Sequence, residues 1–116
     1  MTLPNRMSLT KTTEEQLKRL KVHTGITPNV SARIAFFRSI ESGFRYQEDE
    51  RKLDGSLMLD KITWLGDTAN ITELVLKLYY PDLDQKALTR AWAAHVEDGI
   101  SSIRNQRSLH PFTKLI

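Results

Sequence analysis

The sequence contains no cysteine. This absence excludes disulfide bonds, thiol nucleophiles, iron–sulfur clusters and zinc sites built on cysteine. Apolar runs are only a few residues long, so the sequence predicts no membrane-spanning helix. The first residues also lack a basic leader followed by an apolar stretch, which argues against a secretory signal. We therefore expect a cytoplasmic protein that does not contact membranes.

Residues suited to catalysis or metal binding are few and scattered. His23, His95 and His110 lie far apart, and no two of them have the spacing of zinc ligands on one helix. The glycines fall at the ends of predicted elements rather than in a phosphate-binding loop, and no serine occupies a nucleophile-elbow pattern. His95 falls on the apolar face of a predicted helix, where we expect a core histidine. We predict no enzymatic activity, no metal and no cofactor.

Charge is divided unevenly along the chain. With 116 residues, of which 40% are hydrophobic and 27% charged, the composition is that of one folded domain over residues 1–116. Residues 1–47 hold eight basic and three acidic side chains, a net +5, whereas residues 48–116 hold nine and eleven, a net −2. A basic front indicates an anionic partner on one side of the molecule, the alternative being a solvated surface with clustered charges.

The first part of the chain predicts an extended arm and two helices. Residues 7–10 alternate in hydropathy, and Thr12 with Glu15 forms a capping-box pattern that opens a helix ending at Thr24, with Gly25 as its cap. A threonine followed by proline predicts a second helix over residues 28–42. Its apolar stripe is too broad for a two-helix hairpin to cover, which implies packing against the rest of the chain or another subunit. The stripe comprises Val30, Ile34, Phe37 and Phe44, widened by Phe36 and Ile40.

The second part predicts further helices, so we expect an all-α fold with about five helices. The charged residues 45–54 predict an exposed linker, and residues 57–65 predict a strand or an extended core segment. A third helix is expected from residue 67 or 68 to 80, a fourth from residue 85 to 99, a short fifth over 100–105, and a docked tail at 109–112. The third helix is expected to bury Ile71, Leu74, Val75 and Leu78, and the fourth Leu88, Ala91, Trp92, His95 and Val96.

The order of elements at the front is typical of ribbon-helix-helix DNA-binding proteins. An extended arm, a basic helix, a glycine and a helix that opens Thr-Pro-Asn follow one another. The free amides at the start of the second helix can anchor a phosphate, with Thr27 and Asn29 as added side-chain donors. We expect further contacts with backbone phosphates from Lys11, Lys18, Arg19 and Lys21.

A purely structural role for these cations remains an alternative. Glu14 precedes Lys18 by four residues and Glu15 precedes Arg19 by four, which is the spacing of ion pairs within a helix. Arg33 lies at the edge of the apolar stripe, where we expect a half-buried structural ion pair rather than a DNA contact.

Several segments together resemble one known family. They read LPNR at residues 3–6, HTGITPNV at 23–30, RIA at 33–35, ESG at 41–43, LG at 65–66 and AHVEDGI at 94–100. In this order they resemble DndE, the small component of the Dnd DNA phosphorothioation system, which replaces a non-bridging backbone oxygen by sulfur. The resemblance covers essentially the whole chain, and the linker at residues 45–54 is its least family-like part.

The resemblance implies a helical, tetrameric protein whose basic surface binds DNA, preferentially nicked duplex. It also implies work alongside the sulfur-transfer and ATPase-like proteins of the same pathway. The family's DNA-contacting lysines correspond here to Lys18 and Lys21, and the segment around Gly25 is implied in subunit contacts. Two alternatives stay open: a ribbon-helix-helix repressor that reads an operator with its arm, and an assembly adaptor whose basic face meets acidic protein.

Overall fold

The computed structural model describes residues 2–109, with side chains over residues 2–103. Within this part the chain is mainly helical, which confirms the all-α prediction, and no helix there is long and apolar enough to cross a bilayer. The elements are β1 (Arg6–Met7), α1 (Lys11–Thr24), α2 (Pro28–Ser42), β2 (Leu59–Asp60), α3 (Lys61–Leu65), a 3-10 turn (Gly66–Thr68), α4 (Ala69–Tyr79) and α5 (Gln85–Leu109).

The ends of α1 and α2 lie where the sequence predicts them. Gly25 and Gly43 follow the two helices with φ of 77° and 87°, a left-handed conformation that favours glycine. The beginning of α1 differs from the prediction, because Thr10 rather than Thr12 is the N-cap and accepts a hydrogen bond from the Thr13 amide at 3.2 Å. Tertiary structure favours the earlier start of α1, because the Lys11 amide donates to Asp54 Oδ1 of the linker at 3.0 Å.

The predicted arm is present but is paired within the chain. β1 pairs antiparallel with β2, with Arg6 opposite Asp60 and Met7 opposite Leu59. Trp64 Nε1 donates to the Met7 carbonyl at 2.8 Å, and Met7 is 1% exposed. The segment at residues 57–65, predicted as a strand or an extended segment, is thus a two-residue strand followed directly by α3.

Helix α5 forms the centre of the core and packs mainly on α2. The predicted end at Gly99 and the separate helix over residues 100–105 are wrong, since α5 continues to Leu109. Gly99 does not end the helix because it serves close packing: a Cβ there would lie 1.8 Å from the Ala35 carbonyl oxygen. The docking predicted for the tail falls almost entirely on residues outside the described part. The apolar side of α5 is buried as predicted: Leu88, Ala91, Trp92, His95 and Val96.

The predicted apolar stripe of α2 faces the core only in part. Phe36 is buried as expected, and Phe37, Ile40 and Phe44 are partly buried against the core. Val30 and Ile34 instead are 36% and 39% exposed. Small residues lie at the interface with α5 because they allow the two backbones to approach closely. The buried face comprises Ser31, Ala32, Ala35, Phe36 and Ser39.

The predicted face of α4 is wrong at three of its four positions. Ile71, Leu74 and Leu78 are 46%, 52% and 69% exposed. Val75 is partly buried against the core as predicted, and Thr72 and Leu76 are buried beside it. The hydropathy pattern identifies an apolar side of the helix correctly, but α4 lies at the edge of the molecule and contacts the core through its other side. Ile71, Leu74 and Leu78 therefore form an exposed apolar stripe, here called the α4 stripe.

The predicted linker, residues 44–58 in the structure, is not uniformly exposed. Tyr46 is 6% exposed, and its amide donates to the Tyr80 hydroxyl at 2.7 Å. Ser8 Oγ donates to the Leu53 carbonyl at 2.8 Å. The linker therefore crosses the end of α4 and the arm and returns to the start of α1.

Candidate nucleic-acid interface

Helix α1 separates an apolar side from a cationic one. Thr13, Leu17 and Leu20, which recur at helical spacing, are buried. The opposite side faces solvent and carries every basic residue of the helix that the sequence singled out. These exposed residues, here called the α1 cationic face, are Lys11, Lys18, Arg19 and Lys21.

Most of the α1 cationic face has no internal partner. Among the described residues, the side chains of Lys11, Arg19 and Lys21 make no hydrogen bond or ion pair. The Glu15–Arg19 pair of the purely structural alternative is thus absent from this part of the chain. Lys18 pairs with Glu14 at 3.2 Å, and its side chain remains 55% exposed. The structure thus leaves these charges available to a polyanion.

Glu14 is a residue whose role the sequence did not reveal. It is 3% exposed and accepts hydrogen bonds from the Leu57 amide and from Ser56 Oγ, the latter at 3.0 Å. Burial alone would raise the pKa of Glu14, but the hydrogen bonds from Leu57, Ser56 and Lys18 outweigh it and hold the pKa below its usual value. The carboxylate therefore stays ionised. No pattern in the sequence brings the linker to Glu14, because this contact is made only by the tertiary fold.

The start of α2 offers fewer side-chain donors than the sequence suggests. Thr27 is the N-cap, as predicted, and is exposed, but its side chain makes no capping hydrogen bond. Asn29 Nδ2 donates to the Thr63 carbonyl at 3.1 Å, which ties it to α3. A phosphate at this helix end would therefore meet backbone amides and the Thr27 hydroxyl before the Asn29 amide.

Arg33 has a structural role, though not the predicted ion pair. Its Nε donates to the Trp64 carbonyl at 2.8 Å and its Nη2 to the Thr63 carbonyl at 2.9 Å. These bonds satisfy two carbonyls in the last turn of α3, just before the 3-10 turn at Gly66–Thr68. Gly66 lies beside them with φ of 53°, a backbone conformation that favours glycine, and a Cβ there would lie 2.8 Å from the guanidinium.

His95 is a core histidine, as the sequence predicts. It is fully buried, with Ser39 Oγ 2.8 Å from Nδ1 and the Tyr80 hydroxyl 2.7 Å from Nε2. Burial, aided by the nearby Arg45 charge, lowers the pKa of His95 to about 4, so the ring is neutral at pH 7. Both ring nitrogens have partners, and solvent does not reach this serine–histidine contact.

An open groove lies between the arm, the linker and the start of α5. It has a volume of about 1010 Å³ and is lined by charges of both signs. Arg51 pairs there with Asp49 at 2.9 Å and with Glu97 at 3.0 Å. The groove therefore lacks the single-sign charge of the α1 cationic face. No group of three His, Asp or Glu side chains within the described residues could hold a metal ion.

Gly25 lies at the exposed turn between α1 and α2. A Cβ at this position would meet no atom within 4 Å, so the space beside it is open to a neighbouring molecule. The contact between subunits that the resemblance implies here remains a prediction.

Comparison with known proteins relates the whole architecture to one family. The family model described as DNA sulphur modification protein DndE matches residues 6–111. A search of curated proteins found no significant match.

Two solved structures resemble the fold closely. The crystal structure of DndE from Escherichia coli B7A, described as involved in DNA phosphorothioation modification, is 67% identical with a TM-score of 0.85, over 88% of this chain and 99% of that one. A DndE mutant described as involved in DNA phosphorothioation is 65% identical with a TM-score of 0.82, over 87% of this chain and 98% of that one. The chain belongs to the DndE family of DNA sulphur modification proteins.

Proposed function

We propose that this chain is a non-catalytic DNA-binding subunit of the phosphorothioation machinery, which holds duplex DNA against the α1 cationic face. The observation that carries the proposal is that Lys11, Arg19 and Lys21 are exposed and have no partner among the described residues. Lys18 adds a fourth charge on the same helix, with 55% of its side chain exposed. Family membership supplies the substrate, because a phosphorothioation system acts on the DNA backbone.

Binding of this kind recognises phosphates rather than bases. Lysine contacts with the backbone fix the position of a protein on DNA but carry little sequence information. The exposed face of α1 presents no set of Arg, Asn and Gln suited to reading base edges. We therefore expect binding with little sequence preference. A preference for nicked duplex follows from the family resemblance and is part of the proposal.

The buried polar groups favour a non-catalytic role. The Ser39–His95 contact has the atoms of a nucleophile and a base, but both residues are 0% exposed. His95 Nε2 is also occupied by the Tyr80 hydroxyl. A substrate could reach this pair only after the interface between α2 and α5 opened.

We also propose that the chain self-associates, as a tetramer, and that it works with the sulfur-transfer and ATPase-like proteins of the pathway. The α4 stripe and the exposed Val30 and Ile34 of α2 support this part, because large exposed apolar side chains on neighbouring helix turns mark interaction surfaces. These surfaces equally favour the assembly adaptor as a second candidate. Pull-down of pathway proteins after nuclease treatment separates the two roles, because contact through DNA is lost and direct contact is kept.

The ribbon-helix-helix repressor is not favoured by the structure. Such a repressor needs a free arm that pairs with a second copy and enters a groove of DNA. Here Met7 pairs with Leu59 of the same chain, and Leu9 is 1% exposed.

The proposal is tested by removing two charges from α1. Replacing Lys18→Ala together with Lys21→Ala removes two phosphate contacts, so we expect weaker binding of every duplex sequence and a salt slope smaller by about two units. Gel-shift titration of nicked and intact duplexes at several salt concentrations measures both quantities.

The matched control is Lys77→Ala with Lys86→Ala, which removes two exposed lysines from α4 and α5. It lowers the net charge equally but leaves the α1 cationic face intact, so we expect a smaller loss of affinity. Unchanged affinity in a folded Lys18 and Lys21 variant, or an equal loss in the control, contradicts the assignment.

A further inference from the structure

Glu14 is a buried charge beside a surface proposed to bind DNA. A glutamate is rarely as little as 3% exposed unless its carboxylate is paired. Here Oε1 accepts the Leu57 amide, and Oε2 accepts both Ser56 Oγ at 3.0 Å and Lys18 Nζ at 3.2 Å. Two of the three donors belong to the linker, so α1 and the linker are joined at this carboxylate.

Contacts with the linker fix the position of the Glu14 carboxylate independently of Lys18. The Gly55 amide donates to the Leu9 carbonyl at 2.8 Å, which fixes the linker backbone against the arm. A Cβ at position 55 would lie 2.8 Å from Glu14 Oε1, so glycine permits this close approach. Glu14 is therefore fixed by the linker on one side and offers its remaining hydrogen-bonding capacity to Lys18 on the other.

We propose that Glu14 is a positioning residue for DNA binding, which holds the Lys18 ammonium at a fixed point on the α1 cationic face. An unrestrained lysine loses rotamer freedom when it binds a phosphate, and a lysine that is already held loses less. The ammonium has three N–H groups, and the bond to Glu14 leaves two for a phosphate. This inference rests on the proposed function, and it predicts that the contribution of Lys18 depends on a residue that DNA does not touch.

A double-mutant cycle tests the inference. Affinity for a nicked duplex at fixed salt is measured for the unmodified protein, Glu14→Gln, Lys18→Ala and the double variant. We expect Glu14→Gln to weaken binding about twofold when Lys18 is present, the size typical of one ion pair at this helical spacing, and not to weaken it in the Lys18→Ala background. Equal effects in both backgrounds overturn the inference. Tighter binding of Glu14→Gln with Lys18 present also overturns it, because Glu14 would then only neutralise the lysine.

The control variant is Glu15→Gln, which removes the same charge from an exposed position next in the chain. We expect no weakening from it in either background. If Glu14→Gln fails to fold by circular dichroism, Ser56→Ala replaces it in the same cycle, because it removes a hydrogen bond to the oxygen that holds Lys18. A weakening by Ser56→Ala that needs Lys18 supports the inference, and one that does not overturns it.

A measurement without DNA separates failure of this inference from failure of the proposed function. Nitrogen-15 NMR of the lysine ammonium groups should show slower proton exchange with water at Lys18 than at Lys21, and Glu14→Gln should abolish the difference. Equal exchange at both lysines in the unmodified protein overturns the inference even if DNA binds. If Lys18→Ala together with Lys21→Ala leaves DNA affinity unchanged, the proposed interface is wrong whatever the NMR shows.

Discussion

Helices α4 and α5 both have an apolar side, yet the chain encloses only that of α5. Trp92 and Val96 of α5 are 1% and 0% exposed, whereas Leu74 and Leu78 of α4 are 52% and 69% exposed. The residues of the two helices give no sign of this difference, because each helix has hydrophobic residues at helical spacing. The comparison shows that a hydropathy pattern identifies the apolar side of a helix but does not specify what packs against that side.

The difference follows from where each helix lies. α5 packs along α2, and the rings of Trp92 and Trp64 meet with centroids 5.5 Å apart. α4 joins the edge of the molecule and contacts it through Thr72 and Leu76. Its apolar side faces solvent in the single chain, and our proposal assigns this side to a contact with a second copy.

The largest effect is expected from a substitution at Gly99, where α5 packs most closely on α2. Gly99→Ala should raise the helix propensity by about 1 kcal/mol, yet we expect the variant to lose at least about 3 kcal/mol of folding free energy. The reason is that the new Cβ would lie 1.8 Å from the Ala35 carbonyl oxygen, so α2 and α5 must separate. Chemical denaturation measures the change. Ser101→Ala, at an exposed position of the same helix, is the control and should stay within about 0.5 kcal/mol.

The two sides of α4 should respond differently to the same substitution. Leu76→Ala removes a fully buried side chain and should cost about 3 kcal/mol at every protein concentration. Leu78→Ala should cost less than about 0.5 kcal/mol in dilute solution and destabilise the protein only at concentrations where copies associate. Denaturation at two protein concentrations, with sedimentation velocity, distinguishes the cases. Equal costs in dilute solution would show that the chain itself covers the α4 stripe.

The polar group inside the α5 core predicts a pH dependence. The pKa of His95 is lowered from 6.5 to about 4, so as the pH falls through this range the unfolded state binds a proton that the folded state does not. Stability is therefore complete above pH 6.5, and we expect a loss of about 2 kcal/mol between pH 7 and pH 5. Urea denaturation across this range measures the loss.

The His95→Gln variant should be less stable at pH 7 but should show a flatter pH dependence. The control His23→Gln changes an exposed histidine of α1 and should keep the original dependence. Equal free energies of unfolding of the unmodified protein at pH 7 and pH 5 would contradict this prediction. They would mean that His95 can be protonated while it stays in its buried site.

Local signals in the sequence were sufficient for much of the fold. Gly25 and Gly43 mark the ends of α1 and α2 because a left-handed cap favours glycine, and the Thr-Pro pair marks the start of α2. The sequence predicts such an end at Gly99 as well, but the role of this glycine is close packing on Ala35. A glycine that ends a helix and one that admits a neighbouring backbone look the same in sequence.

The candidate site likewise has features that the sequence predicts and contacts that only the tertiary fold makes. The spacing of Lys18, Arg19 and Lys21 places them on the outer side of α1, and the structure agrees. The contacts of Glu14 with Ser56 and of Asn29 with Thr63 join segments 42 and 34 residues apart, and no periodicity reports such distances.

The sequence by itself therefore determined the helical class, the α1 cationic face and the absence of cysteine chemistry, because these depend on residues within one or two helical turns or on composition alone. Tertiary structure alone decided which apolar side of α4 faces solvent, how the arm pairs with β2, and that a buried carboxylate lies beside Lys18. These features depend on how distant segments meet, and the free energy of that packing is shared among many residues that lie far apart in the chain.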